Sequence, residues 1–151
     1  MTISGTGFRS GASVTFGGSA ATGVSVPSGT AISAVTPSHA LGTVDVVVTN
    51  PDGQSGGTGV PRFTFEGQHR RYFAEGATIP PFDCFFALAN PNAAAASVAL
   101  HFARTDGQAL THILSVPALG RRTVDAKDVA GLAAAEFSTI VESDVQLIAD
   151  R

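Results

Sequence analysis

Val44-Asp45-Val46-Val47-Val48-Thr49-Asn50-Pro51-Asp52-Gly53 decides how the first half of the chain is read. Val44, Val46 and Val48 alternate with Asp45, Val47 and Thr49, a period of two that places one set on a single face of a half-buried strand. Asn50-Pro51-Asp52-Gly53 then stops it: proline presets φ and glycine accepts φ > 0. The same rhythm recurs on both sides. Ala12, Val14 and Phe16 alternate with Ser13 and Thr15, Val24 and Val26 follow, and Phe63 and Phe65 flank Thr64. Gly17-Gly18, Pro27-Ser28-Gly29 and Pro37-Ser38 supply turns between the runs. Short strands about ten residues apart predict a sandwich or barrel. Gln54 to Pro61 reads as a glycine-rich loop, and Glu66-Gly67-Gln68-His69 as a polar break between two modules.

The second half restarts the pattern with heavier residues. Arg71 to Glu75 reads as a strand. Phe82, Cys84, Phe86 and Leu88 alternate with Asp83, Phe85, Ala87 and Ala89; both sets are apolar except Asp83, which predicts a central strand buried on both faces. Val98, Leu100 and Phe102 make the next strand, Asp106-Gly107 signals a hairpin, and Leu110 to Val116 returns. Thr123 to Ala126, Phe137 to Glu142 and Val145 to Ala149 bring the set to about seven. Asp125 is placed to cap a short helical turn, with Val129, Leu132 and Ala133 behind it. The expected fold is all-β: two tandem immunoglobulin-like sandwiches, residues 1–66 and 69–151.

Composition narrows the function. Nine Lys+Arg against twelve Asp+Glu give a net charge of −3, the wrong sign for broad phosphate-backbone binding. Charged residues are 14% of the 151, so the pool of titratable groups for catalysis is small. One cysteine excludes an internal disulfide framework. No apolar run has membrane-spanning length, and no charged-then-apolar leader opens the sequence.

Candidate sites each have a plainer alternative. Cys84 as a nucleophile needs a base or positive charge nearby; its neighbours Asp83, Phe85 and Phe86 favour a buried structural thiol. If Thr105-Asp106-Gly107-Gln108 closes its hairpin symmetrically, His101 and His112 lie opposite one another, seating two metal ligands; a bulge in the turn breaks that pairing. His39 and His69 lie in turn or linker contexts. Arg70-Arg71 and Arg121-Arg122 either meet as a small anion patch, end strands in solvent, or make salt bridges to the neighbouring module. Asn50-Pro51-Asp52-Gly53 either offers oxygens to calcium or is a turn with a glycine bulge. No Walker loop, dinucleotide fingerprint, His-Glu-x-x-His, EF-hand loop or Gly-x-Ser-x-Gly elbow is present. No catalytic, cofactor-binding or metal residue is assigned, and the chain is expected not to be an enzyme.

The first module resembles an IPT/TIG domain, an immunoglobulin-like sandwich. The resemblance rests on Thr2-Ile3-Ser4-Gly5-Thr6-Gly7-Phe8, Gly11-Ala12-Ser13-Val14-Thr15-Phe16-Gly17-Gly18, Thr36-Pro37-Ser38-His39-Ala40, Gly42-Thr43-Val44-Asp45-Val46 and Thr49-Asn50-Pro51-Asp52-Gly53-Gln54-Ser55, in that order. The family usually begins with a strand before Thr2-Ile3-Ser4, so the resemblance implies a module lacking its first strand. The second module resembles a β-sandwich repeat of bacterial surface proteins, through Tyr72-Phe73-Ala74-Glu75-Gly76, Leu88-Ala89-Asn90-Pro91-Asn92, Asp106-Gly107 and Arg121-Arg122-Thr123-Val124. Together they imply a non-catalytic structural or adhesive pair on an extracellular bacterial surface, whose partners are further copies or neighbouring modules. Strand addition at the open edge would build a fibre or filament. The alternative is a carbohydrate- or ligand-binding accessory module of a larger secreted enzyme, with a glycan as the possible ligand. Neither nucleic acid nor membrane insertion is expected.

Overall fold

The computed structural model describes residues 1–56 and 61–151; part of the glycine-rich stretch expected to be a loop, residues 57–60, lies outside the described residues. The chain forms two compact units: Met1–His39 with Thr43–Phe65, and Ala40–Gly42 with Glu66–Arg151. Among the described residues the regular structure is strand, apart from one 3-10 turn.

In the first unit, β1 (Thr2–Ser4), β5 (Ala31–Val35) and β4 (Thr22–Ser28) form one sheet in the order β1-β5-β4. The other runs β3-β2-β6-β7, from β3 (Ser19–Ala20), β2 (Ser13–Phe16), β6 (Gly42–Thr49) and β7 (Arg62–Phe65). Both sheets contribute to one core: Val14, Phe16 and Val46 from one, Ile32 with Ile3, Val24 and Val26 from the other. Phe16 packs edge-to-face on Phe63 and Phe65, with centroids 5.4 and 6.2 Å away, a favoured aromatic geometry. The alternation in Val44–Val48 is visible directly: Val46 is buried while Asp45 and Val47 point to solvent. Gly17 and Gly18 turn β2 into β3 with φ of 55° and 84°. Pro27 and Ser28, expected in a turn, instead lie in β4, which reaches its neighbour through register shifts. A proline without an N–H is tolerated there because β4 is an edge strand.

The second unit holds seven strands. β8 (His69–Phe73), β10 (Ala96–Arg104), β11 (Ala109–Val116) and β13 (Phe137–Ser143) form an antiparallel sheet ordered β11-β10-β13-β8. β9 (Phe85–Ala89), β12 (Arg121–Asp125) and β14 (Ile148–Asp150) form the second, ordered β12-β9-β14. Phe86, Leu88 and Val124 from one sheet meet Val98, Leu100, Phe102, Phe137 and Val141 from the other. Phe73, Phe86, Phe102 and Phe137 stack edge-to-face in succession at 5.6, 5.9 and 5.4 Å. β8 begins opposite Ser143 at one end of the sandwich, while Arg151, just past β14, lies beside Arg104 and Thr105 at the other. As the capping carboxylate implied, Asp125 accepts from Lys127 N at 2.9 Å and opens a 3-10 turn, Ala126–Asp128.

β9 departs from expectation. It is central, yet only Phe86 and Leu88 face the core; Phe85 is 47% exposed and Ala87 is open. A continuous apolar run looks the same whether one face or both are covered, and here a single layer lies against it. The strand also starts later than the alternation suggested: Pro80-Pro81 precede Phe82, and Phe82 closes a turn onto Ile79 O at 2.9 Å.

Candidate functional site

The second unit carries an open cleft of about 990 Å³, lined by Glu75, Phe82, Asp83, Arg104, Glu136 and Ser138 among others. Four separate segments build it: the β8–β9 connection, the end of β10, the start of β13 and Arg151 just past β14. The connection is pinned from below. Thr78, fully buried, donates its hydroxyl to Leu132 O and accepts from Ala135 N at 3.0 Å. Phe137 N donates to Gly76 O at 2.9 Å, and a Cβ on Gly76 would stand 2.5 Å from the Phe137 ring, so glycine lets the backbone lie flat there. Above this floor Phe82 presents its ring, 61% exposed. Asp83 pairs with Lys127. Arg104 is held by Asp106 at 2.7 Å and by Gly131 O at 2.8 Å, while Glu75 and Glu136 add two further carboxylates. An exposed ring flanked by carboxylates offers an apolar platform with hydrogen-bond acceptors at its rim.

Cys84 lines the same cleft but is 5% exposed. Burial pushes its thiol up, Arg151 pulls it slightly down, and Asp125 pushes it up again. A raised thiol is the opposite of an activated nucleophile.

The two histidines do not face each other. His112 pairs with Leu100, and His101 with Thr111, one residue away from the symmetric register. Gly107, at φ 86°, adds the extra turn residue: Gly107 N donates to Arg104 O, and Arg104 N to Gln108 O. Because successive side chains alternate, that single residue sends His101 and His112 to opposite faces. His101 shares a hydrogen bond with Thr111 Oγ1 at 3.1 Å and approaches Glu142 at 3.8 Å. Among the described residues no three His, Cys, Asp or Glu side chains converge to hold a metal ion. His39 stacks on Phe65 at 4.9 Å, and His69 opens β8.

The arginine pairs also stay apart, on different sheets. Arg70 donates to Glu142 Oε2 at 2.9 Å, and this hydrogen bond and charge pairing raise its pKa. Glu142 is 7% exposed and also accepts from Gly67 N at 2.5 Å. Arg122 donates to Ser115 O at 3.2 Å. In the first unit the Asn50–Gly53 segment is a turn, with Gly53 N donating to Asn50 O at 2.9 Å. Its oxygens are engaged by protein donors: Asn50 Oδ1 by Arg9 N, Asp52 by the Arg9 guanidinium and by Gln54 N.

The cleft escaped sequence reasoning because its residues are scattered over some 75 positions and match no motif. The one available signal was Pro80-Pro81, which marks Phe82 as loop rather than strand.

The paired sheets define each unit as an immunoglobulin-like β-sandwich module. Within that class, residues 1–65 match the family model of the IPT/TIG domain. No curated protein matches the chain. Among solved structures, the Anabaena sensory rhodopsin transducer is similar over 56% of this chain and 95% of its own, with 23% identity and a TM-score of 0.49. A protein of the Bacteroides ovatus mixed-linkage glucan utilization locus, SGBP-B, solved in complex with a mixed-linkage heptasaccharide, is similar over 93% of this chain and 47% of its own, with 14% identity and a TM-score of 0.37. Among the described residues no helix is long and apolar enough to cross a membrane.

Proposed function

We propose that the chain is a non-catalytic structural or adhesive module pair, residues 1–66 and 69–151, of an extracellular bacterial surface protein. The observation behind this reading is where the buried polar groups are spent. Thr78, Asn90 and Ser143 bind backbone, and Glu142 binds the Gly67 amide and Arg70, so four of the five buried polar side chains brace the scaffold; the fifth, Thr139, has no partner among the described residues. The test is surface labelling of intact producing cells with an antibody to this chain. Labelling without permeabilisation is expected; labelling only after permeabilisation refutes the location. In this reading β1, an outer strand of its sheet, accepts a strand from another chain and builds a filament. Ala34 N donates to Met1 O and Gly5 N to Thr30 O, so in the alternating ladder Ile3 bonds inward to β5 and the N–H of Ser4 faces the open edge. Ser4→Pro removes that outward donor, and filaments seen by electron microscopy should disappear with it.

The cleft favours a second reading, a glycan-binding accessory module. The exposed Phe82 ring suits the C–H face of a pyranose, and Glu75 and Glu136 suit its hydroxyls. Glycan-array binding that is lost in Phe82→Ala supports it; binding unchanged in that variant excludes this cleft.

A further inference from the structure

The outward face of the three-stranded sheet in the second unit is apolar where water-facing sheets are normally polar. Along β9 the outward residues are Phe85, Ala87 and Ala89, with Phe86 and Leu88 turned inside. The register sets three rows across the sheet: Arg121, Ala89 and Ile148; then Thr123, Ala87 and Asp150; then Asp125 and Phe85. Phe85 is 47% and Ile148 61% exposed. A contiguous apolar patch with a charged rim marks an interaction surface.

We propose that this face packs against the same face of a second copy, about a two-fold axis that crosses β9 at right angles at the level of Ala87. That operation reverses the order of the rows. Phe85 of one copy comes to lie over Ala89 of the other, large on small, and Ala87 meets Ala87. On β12 the same reversal sets Arg121 over Asp125 of the second copy, twice by symmetry. Size and charge are thus complementary under one operation, which a self-pairing interface requires. A two-fold axis along β9 does worse: it stacks Phe85 on Phe85, leaves a gap at Ala89, and places Arg121 over Ile148 with no counter-charge. The chosen axis has two poor meetings, both on the outer strand: Asp150 with its counterpart, where water screens it, and Ile148, which reaches the Phe85 row of the second copy, where β14 has no residue.

The contact belongs to the weak class. With strands about 4.8 Å apart and rising about 3.3 Å per residue, the face is well short of the roughly 800 Å² per partner of a stable complex. It holds copies together only where they are already concentrated, as on a surface or in an array. It differs from strand addition at β1, which uses backbone edges and none of these side chains.

Sedimentation equilibrium of the full chain over a micromolar-to-millimolar series tests it. The weight-average mass should climb from monomer toward dimer. Phe85→Asp should hold it at monomer, Arg121→Glu should weaken association roughly fivefold to tenfold, and Asp150→Asn should tighten it. These side chains are exposed or at the rim, so an unchanged circular dichroism spectrum confirms that each variant folds. A monomer at every concentration overturns the proposal and leaves the surface-labelling result untouched. Dimerisation that survives Phe85→Asp but is lost in Ser4→Pro, which removes an outward-facing N–H of β1, overturns it in favour of the β1 edge.

Discussion

Thr139 is the residue that fits its surroundings least well. It faces Phe102 and Phe73 across neighbouring strands, is 2% exposed, and its hydroxyl is buried without a hydrogen-bond partner among the described residues. Thr139→Val keeps the shape and removes the unsatisfied group, so a gain of about 1 kcal/mol is expected, read as a higher urea midpoint with unchanged slope. Glu142 is the opposite case. Its carboxylate meets both an amide and a guanidinium, and Glu142→Ala should cost about 3 kcal/mol by leaving them without their acceptor. Cys84 gives a pH signature. Its thiol is raised in the folded state, so the folded chain keeps a proton that the unfolded chain gives up above the ordinary thiol range. Stability is full below that range and falls as pH rises through it; Cys84→Ala should remove that part of the alkaline decline in thermal melts. The burial of Cys84 was legible because it shares parity with Phe86 and Leu88. The orphan hydroxyl was not: a threonine in an alternating strand looks the same whether it faces water or core.

At the scale of elements, turn chemistry was more legible than register. Asp106-Gly107 announced the β10–β11 hairpin, but the glycine bulge that shifts the pairing by one residue is a property of backbone angles, and it decides where both histidines point. Gly107 sits at φ 86°, a conformation costing other residues about 1–2 kcal/mol; Gly107→Ala should lower stability by that amount, measured by denaturant titration. β5 was harder to see, since Ala31-Ile32-Ser33-Ala34-Val35 alternates with small residues and only Ile32 is large. β9 was visible as a strand, but its environment was not. A run of Phe, Ala and Leu states only that neither side chain set is polar, and the number of layers covering a strand depends on distant segments.

For the molecule as a whole, the division into two β units was visible in the restart of the alternation after Gly67, since each half had its own set of large apolar residues. Phe16 anchors one core and Phe86 the other. Phe16→Ala should cost about 3–5 kcal/mol and speed amide hydrogen exchange in β2 and β6, while β10 and β13 keep their protection. The entry and exit points of the second unit have a mechanical consequence. β8 is held lengthwise to β13, β14 is held to β9 in the other sheet, and the chain enters and leaves at opposite ends. Tension applied at Glu66 and Arg151 therefore loads both sets of ladder hydrogen bonds in shear, all at once, instead of unzipping them singly. The unit, stretched between those two points, would resist as one body until β8 or β14 slid free.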